Sequence, residues 1–333
     1  MALDVAALPK AELHVHHVGS ASVDTVARLA ERHAGSTSVP ADRDELARFF
    51  EFTDFGHFIE VYLAVVDLLR TPEDIWTLTH EVGLGLVEQN VRYAELTMTP
   101  YTSMTVGIAA EDYVEAIEDA RRRLEADHDL VLRWCFDIPG ESGVPAADAT
   151  LDVALRLRPE GLVSFGLGGP EVGVPRPQFA PHFEQAVAAG LRSVPHAGES
   201  TGPETIWDAV RELKAERIGH GIAAARDPEL LAHLAAEGIA LEICPTSNVR
   251  TRSVPSLAEH PLPAIVAAGV PVTINSDDPP MFGTTLNHEY EVARDLLGLD
   301  DAGLVDLARA AVDHSFAPDA VKASLHAELD THA

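Results

Sequence analysis

Eight short apolar runs, set apart by amphipathic stretches, restrict this chain more than any other feature. They are Ala11–His16, Val91–Thr97, Leu130–Ile138, Leu162–Leu167, Leu191–His196, Arg217–His220, Ile239–Cys244 and Val270–Asn275. Most do not alternate polar with apolar residues, so both faces of each strand are covered, as in a parallel sheet with helical crossovers. Helical patterns lie between them. Phe58, Ile59, Tyr62, Val65, Val66 and Leu69 share one face, and Thr71-Pro72-Glu73-Asp74 supplies a cap, an early Pro and first-turn acids for the next helix. Tyr113, Val114, Ile117 and Leu124 mark another helix, and Val187-Ala188-Ala189-Gly190 ends a third. Eight such units predict one closed (β/α)8 TIM barrel over residues 1–333. A doubly wound open sheet is the competing reading, but no Gly-x-Gly-x-x-Gly follows the first strand. From Gly19 to Asn90 there is more chain than one crossover needs, and it holds Phe49, Phe50, Phe52, Phe55 and Phe58. A helical insertion at about 20–90 is expected, its aromatics either roofing a pocket or packing the first helices onto the barrel.

Composition narrows the partners. Lys plus Arg total 24 against 53 Asp plus Glu, a formal charge of -29, which repels nucleic acid and anionic membrane. No basic segment leads into an apolar run at the start, and nothing approaches the ~20 apolar residues of a membrane span. The two cysteines, Cys135 and Cys244, are too few for a thiolate metal cluster and read as reduced, buried thiols of a cytoplasmic protein. A small-molecule ligand is the expected partner; oligomeric state is not legible.

A barrel concentrates its chemistry at the carboxyl ends of its strands. His14 and His16 end the first run and, two apart in a strand, face the same way. His196 ends the fifth run, His220 the sixth, and Asp277-Asp278 the eighth. Joined by His196 and Asp277, the first pair makes a three-His, one-Asp set that suits Zn²⁺ and leaves room for water. Two metals bridged by a carboxylated Lys would need Lys at a strand end. Lys10 instead precedes strand one, Lys214 lies in a helical stretch and Lys322 is near the carboxyl end, which favours one Zn²⁺ per chain.

Zinc lowers the pKa of its water towards neutrality. Glu199, just past His196, is placed to exchange a proton with substrate, while His220 and Asp277 are placed to orient and stabilise the hydroxide. Thr201-Gly202-Pro203-Glu204 offers a helix cap that leaves Glu199 free. Asp278, expected to point away from Asp277 along a continuing strand, reads as a substrate contact. Gly166-Leu167-Gly168-Gly169 has no Walker Lys or Ser/Thr and reads as backbone approaching a flat ligand. The remaining histidines, among them His17, His182 and His260, are expected at the surface or in local hydrogen bonds.

These motifs resemble the adenosine deaminase family of zinc aminohydrolases. The matching phrases are Pro9-Lys10-Ala11-Glu12-Leu13-His14-Val15-His16, His196-Ala197-Gly198-Glu199, Arg217-Ile218-Gly219-His220-Gly221, Cys244-Pro245-Thr246-Ser247-Asn248 and Asn275-Ser276-Asp277-Asp278-Pro279, in family order along the whole chain. The resemblance implies a barrel of the metal-dependent hydrolase type, with zinc on His14, His16, His196 and Asp277. It implies that Glu199 serves purine N1, that His220 assists the attacking water, and that Gly169 and Asp278 contact N3 and N7. The implied reaction is attack at C6 of a 6-aminopurine, with loss of ammonia.

The first motif departs from the family pattern. Where Leu-Asp-Gly usually follows the second metal His, this chain has His17-Val18-Gly19, so the acid that holds the ribose 5′-hydroxyl is missing. An unpaired hydroxyl in a dry pocket costs about 1–3 kcal/mol. The phrase looks like the branch that deaminates 6-aminodeoxyfutalosine in the futalosine route to menaquinone. That nucleoside carries a ketone and a carboxyphenyl group where adenosine has its 5′-hydroxyl. Val18 would leave space for this tail, and His17, Arg176 or Arg252 would face it; adenosine or adenine deamination is the alternative.

Overall fold

The apolar runs form eight parallel strands in sequence order: β1 Lys10–His16, β2 Val91–Met98, β3 Val131–Pro139, β4 Leu162–Gly168, β5 Arg192–Ala197, β6 Arg217–His220, β7 Ala240–Ile243 and β8 Val272–Ile274. This computed structural model describes residues 3–53 and 55–332. Residues 1, 2 and 333, at the ends of the expected 1–333 unit, and residue 54 in its insertion lie outside the described residues. Each strand pairs in parallel with the next. The ring closes through a parallel bridge between Val15 and Asp277. There the His16 amide donates to the Asp277 carbonyl at 2.8 Å, and the Asp277 amide donates to the His14 carbonyl at 3.0 Å. Because β8 is short, a side chain extends the joint: the Leu13 amide donates to Asn275 Oδ1 at 2.9 Å.

Three sequence expectations are corrected. Lys10 does not precede the first strand but opens it, opposite Val91, with its buried ammonium donating to the Val5 and Leu8 carbonyls. It lies at the amino end of the strand, away from the mouth, where it cannot bridge two metal ions. Lys214 follows the helix Pro203–Glu212 in a left-handed conformation, φ 58°. Thr201 does not cap that helix; its N-cap is Gly202, and the Thr201 hydroxyl donates to Glu171 at 2.5 Å.

The expected insertion is four helices: α1 Val23–Arg32, α2 Arg43–Phe49, α3 Phe55–Val66 and α4 Pro72–Glu88. The predicted start of α4 is a full capping box between Thr71 and Asp74. Asp74 is also the anchor of the insertion, accepting from Arg32 Nη1 at 2.6 Å and pairing with His33 Nε2 at 2.9 Å. Burial would raise its carboxyl pKa, but the Arg32, Thr71 and His33 hydrogen bonds outweigh that and lower it. The phenylalanines divide between the two roles foreseen. Phe50 is buried in the core, Phe55 and Phe58 line a cavity over the barrel mouth, and Phe52 packs on Phe58 and Phe282 with ring centroids 5.3 and 5.8 Å away.

Asp74→Ala removes a cap and leaves the Arg32 guanidinium without its buried partner. The expected cost is about 2–4 kcal/mol, read as a clear fall in Tm; an unchanged Tm would show that the insertion is held elsewhere.

Candidate metal centre and active site

Barrel closure sets the ends of β1, β5 and β8 around one point. His16 Nε2 lies 3.2 Å from His196 Nε2 and 3.3 Å from Asp277 Oδ1. His14 Nε2 lies 3.7 Å from the same Asp277 oxygen, and the His14 and His196 ring centroids are 4.5 Å apart. Tetrahedral zinc with bonds of about 2.0–2.1 Å needs ligand atoms roughly 3.3–3.4 Å apart, so these separations fit a common ion. His14 supplies a sharper test: its Nδ1 is committed to Glu242 Oε2 at 2.9 Å, and its Nε2 is buried with no hydrogen-bond partner among the described residues. A lone pair held inward in this way is what a zinc ligand requires. The sequence-predicted set His14, His16, His196 and Asp277 therefore converges, and it suits one zinc ion.

Two other groups come close without the right lone pair. Cys244 shares the neighbourhood of His14 and Asp277, but burial pushes its thiol pKa well up, and Sγ faces the Glu242 carbonyl at 3.7 Å as a donor. His220 groups with His14 and His196, yet a chain of hydrogen bonds fixes its tautomer. The Leu262 amide donates to His260 Nδ1 at 3.1 Å, so the His260 proton is on Nε2, which faces Asn248 Oδ1 at 3.2 Å. Asn248 Nδ2 then donates to His220 Nδ1 at 3.1 Å, leaving the His220 proton on Nε2. That N–H faces Asp277 Oδ2 at 3.7 Å and Glu199 Oε2 at 3.8 Å. Burial pushes the His220 pKa down to about 3, so the ring is neutral and acts as a donor.

The carboxyls around this point differ in state. Burial raises the Glu199 pKa to about 8, helped by the charges of Asp277 and Glu171, and the Thr251 hydroxyl donates to its Oε1 at 3.1 Å. Burial, and then the charge of Asp277, raises Asp278 as well, whose Oδ1 is buried without a partner among the described residues. The expectation that Asp278 points away from Asp277 along a strand fails, because β8 stops at Ile274 and Asp277 is left-handed, φ 65°. Both acids line the same cavity. Gly19 lies against Asp278, where a Cβ would collide with the carboxyl. Gly169 lines the cavity with φ 79°, a conformation that glycine adopts without strain.

The cavity lies over the carboxyl ends of the strands and opens to solvent, with about 890 Å³ of space when that open solvent is counted. His16, Gly169, His196, Glu199, His220, Asp277 and Asp278 line it. Two proposed tail contacts do not reach it. His17 is buried with Nε2 2.9 Å from Thr79 Oγ1, and Arg176 is buried with its Nη2 donating to the His196 carbonyl at 3.1 Å. Arg176 faces Glu171 at 3.4 Å, which in turn accepts from the Glu199, Ser200 and Thr201 amides and so shapes the loop after β5. Val18 packs in the hydrophobic core and is not among the lining residues.

Sequence reasoning missed the supports. Glu242 holds His14; Arg217 Nε holds Glu242 at 2.6 Å, and Arg217 Nη2 holds Glu95 at 2.5 Å. Ser247 donates to Asp277 Oδ2 at 2.6 Å. Asp137 and Glu141, which also line the cavity, carried no spacing signal; burial, with the charge of Glu141, raises the Asp137 pKa to about 7 although Thr99 donates to it at 2.5 Å. Asn248 and Ser247 sit in a phrase already noted, and His260 among histidines set aside.

Residues 9–332 match the adenosine deaminase family model. Among curated proteins, the chain is 63% identical over 330 residues to the aminodeoxyfutalosine deaminase of Streptomyces avermitilis, covering 98% of this chain and 92% of that one. Among solved structures, it superposes on adenine deaminase from Arthrobacter aurescens with a TM-score of 0.92, at 34% identity and covering 97% and 98% of the two chains. A Burkholderia ambifaria amidohydrolase with bound zinc gives a TM-score of 0.90 at 26% identity, covering 98% and 92%.

Elemental analysis is expected to find one zinc per chain, lost together with activity in His196→Ala. Glu242→Gln keeps the ligands but loosens the orientation of His14, and should weaken zinc about 10–100-fold in a competition titration with a chelator. Two zinc ions per active chain would refute the mononuclear centre.

Proposed function

The chain belongs to the adenosine deaminase family, and from that premise we propose that it deaminates 6-aminodeoxyfutalosine to futalosine and ammonia, a step towards menaquinone in the cytoplasm. The observation that carries the substrate is the 63% identity, over nearly the full length of both chains, to an aminodeoxyfutalosine deaminase. The cavity is consistent with a nucleoside larger than a free base: beyond the groups assigned to the purine, Thr99, Thr102, Asp137 and Glu141 offer partners for sugar hydroxyls. The buried, unpaired Cys135 and Cys244 suit a reducing compartment. The whole (β/α)8 unit serves as one catalytic domain.

Zinc, when bound by His14, His16, His196 and Asp277, makes water nucleophilic at neutral pH. The chain's own residues do the rest. Glu199, kept protonated by burial, gives its proton to N1 and so draws electrons from C6. The His220 N–H, aimed by Asn248 and His260, donates to the oxygen that adds to C6. Asp278, also held protonated, donates to N7, and the Gly169 backbone approaches N3. The C–O bond forms, the C6–N bond breaks, and ammonia leaves with one of water's protons. The other proton restores Glu199, and N1 keeps the one it received.

Glu199→Gln is expected to keep zinc and lose about 10²–10⁴ in kcat, because the amide retains the shape but has no acidic proton; near-normal turnover would reject the proton-transfer role. For the substrate, loss of aminopurine absorbance should give the highest kcat/KM with 6-aminodeoxyfutalosine, ahead of adenosine and adenine. A preference for adenosine or adenine would overturn the substrate and leave the zinc deaminase intact.

A further inference from the structure

We propose that the Arg250 guanidinium is the anion-recognition point of this site, binding the carboxylate at the end of the substrate's tail. The inference rests on the substrate reading above and adds the residue that selects for it.

Charge first decides where the carboxylate can go. The cavity lining carries Asp137, Glu141, Glu199, Asp277 and Asp278, and no Lys or Arg is among its lining residues. None of these acids attracts an anion, and with the metal end of the cavity taken by the reacting purine, desolvating a carboxylate there without a cationic partner is expensive. A nucleoside that places its purine against Glu199 must therefore carry a charged tail outwards, past the roof.

At the edge of that roof one cation is held in place. Arg250 is the last residue of the helix Pro245–Arg250, and its guanidinium carbon lies 5.0 Å from the centre of the Phe52 ring. Phe52 packs on Phe58 and Phe282, both of which line the cavity. The next residue, Thr251, lines the cavity too and donates to Glu199. Arg250 is thus tied to the cavity from two sides, through its backbone to the proton-transfer carboxyl and through its side chain to the aromatic roof.

Among the described residues its guanidinium has no hydrogen-bond or ion-pair partner. Arg250 is exposed, and among the described residues no carboxylate stands within ion-pair distance of it; of the arginines that share this, Arg250 is the one that lies over an aromatic ring packed on the cavity lining. A guanidinium stacked on an aromatic face keeps its planar edge available for a bidentate carboxylate, with less side-chain entropy left to lose. The neighbouring phenylalanines offer apolar faces to the phenyl ring that bears this carboxylate. The competing cations lack such placement: His17 bonds Thr79, Arg176 is buried against Glu171, and Arg252 is exposed with no ring contact among the described residues.

The test compares kcat/KM for 6-aminodeoxyfutalosine and for its methyl ester in the zinc-loaded wild type, Arg250→Gln, Arg250→Lys and Arg252→Gln. Wild type should favour the free acid about tenfold, less at high salt. Arg250→Gln should bring the ratio to within about twofold through KM, with Arg250→Lys intermediate and Arg252→Gln like wild type. Because each ratio is taken within one protein, partial misfolding does not mimic the effect. An acid preference that survives Arg250→Gln, or that disappears in Arg252→Gln instead, overturns the assignment. A wild type that prefers adenosine or adenine overturns the substrate reading itself, a result separate from any Arg250 outcome.

Discussion

Residues from the first and last strands meet at the zinc site only because the sheet closes on itself. The joint is small: the Val15–Asp277 bridge and its two backbone hydrogen bonds, extended by the Asn275 side chain. Those bonds run from the peptides of His14, His16 and Asp277, so closing the barrel and gathering three of the four proposed ligands are one event. The left-handed Asp277, φ 65°, and His220, φ 59°, lie at such strand exits. Surrounding structure must maintain conformations that cost non-glycine residues energy, and both side chains are spent on the site.

A second layer gives the ligands their chemical identity. Glu242 accepts a hydrogen bond from His14 Nδ1–H and so turns the Nε2 lone pair inward, and Arg217 compensates the buried charge of both Glu242 and Glu95. The Arg217 guanidinium also lies 3.9 Å from the centre of the Phe316 ring, which closes the far side of the network. On the other flank, the Leu262 amide acts through His260 and Asn248 to make His220 a donor. Two buried imidazoles of similar burial thus receive opposite roles, one presenting a lone pair and one a proton, from what bonds their other nitrogen.

The cavity is built from two kinds of material. The barrel supplies most of its polar lining, whereas the insertion between β1 and β2 supplies the roof through Phe55, Phe58, Ile59, Tyr62 and Leu63. The insertion is pinned by Asp74, which is not among the residues that line the cavity.

The strands and the polar residues at their ends were legible in the sequence because their signals are local. Apolar runs, the i, i+2 spacing of His14 and His16, and the Thr71-Pro72-Glu73-Asp74 start of α4 each depend on a few adjacent residues. Position along the strands already placed Glu199, Asp278 and Gly169 at the substrate, and the resemblance added which purine nitrogen each would serve. Tertiary structure alone decided whether a charged side chain faces the ligand or supports something that does. His17 and Arg176, as plausible on paper as Arg252, turn away to Thr79, Glu171 and a backbone carbonyl, while Glu242, Asn248 and His260 become part of the site. The physical reason is that buried polar atoms must find partners, and in a closed barrel those partners come from strands and loops far apart in sequence.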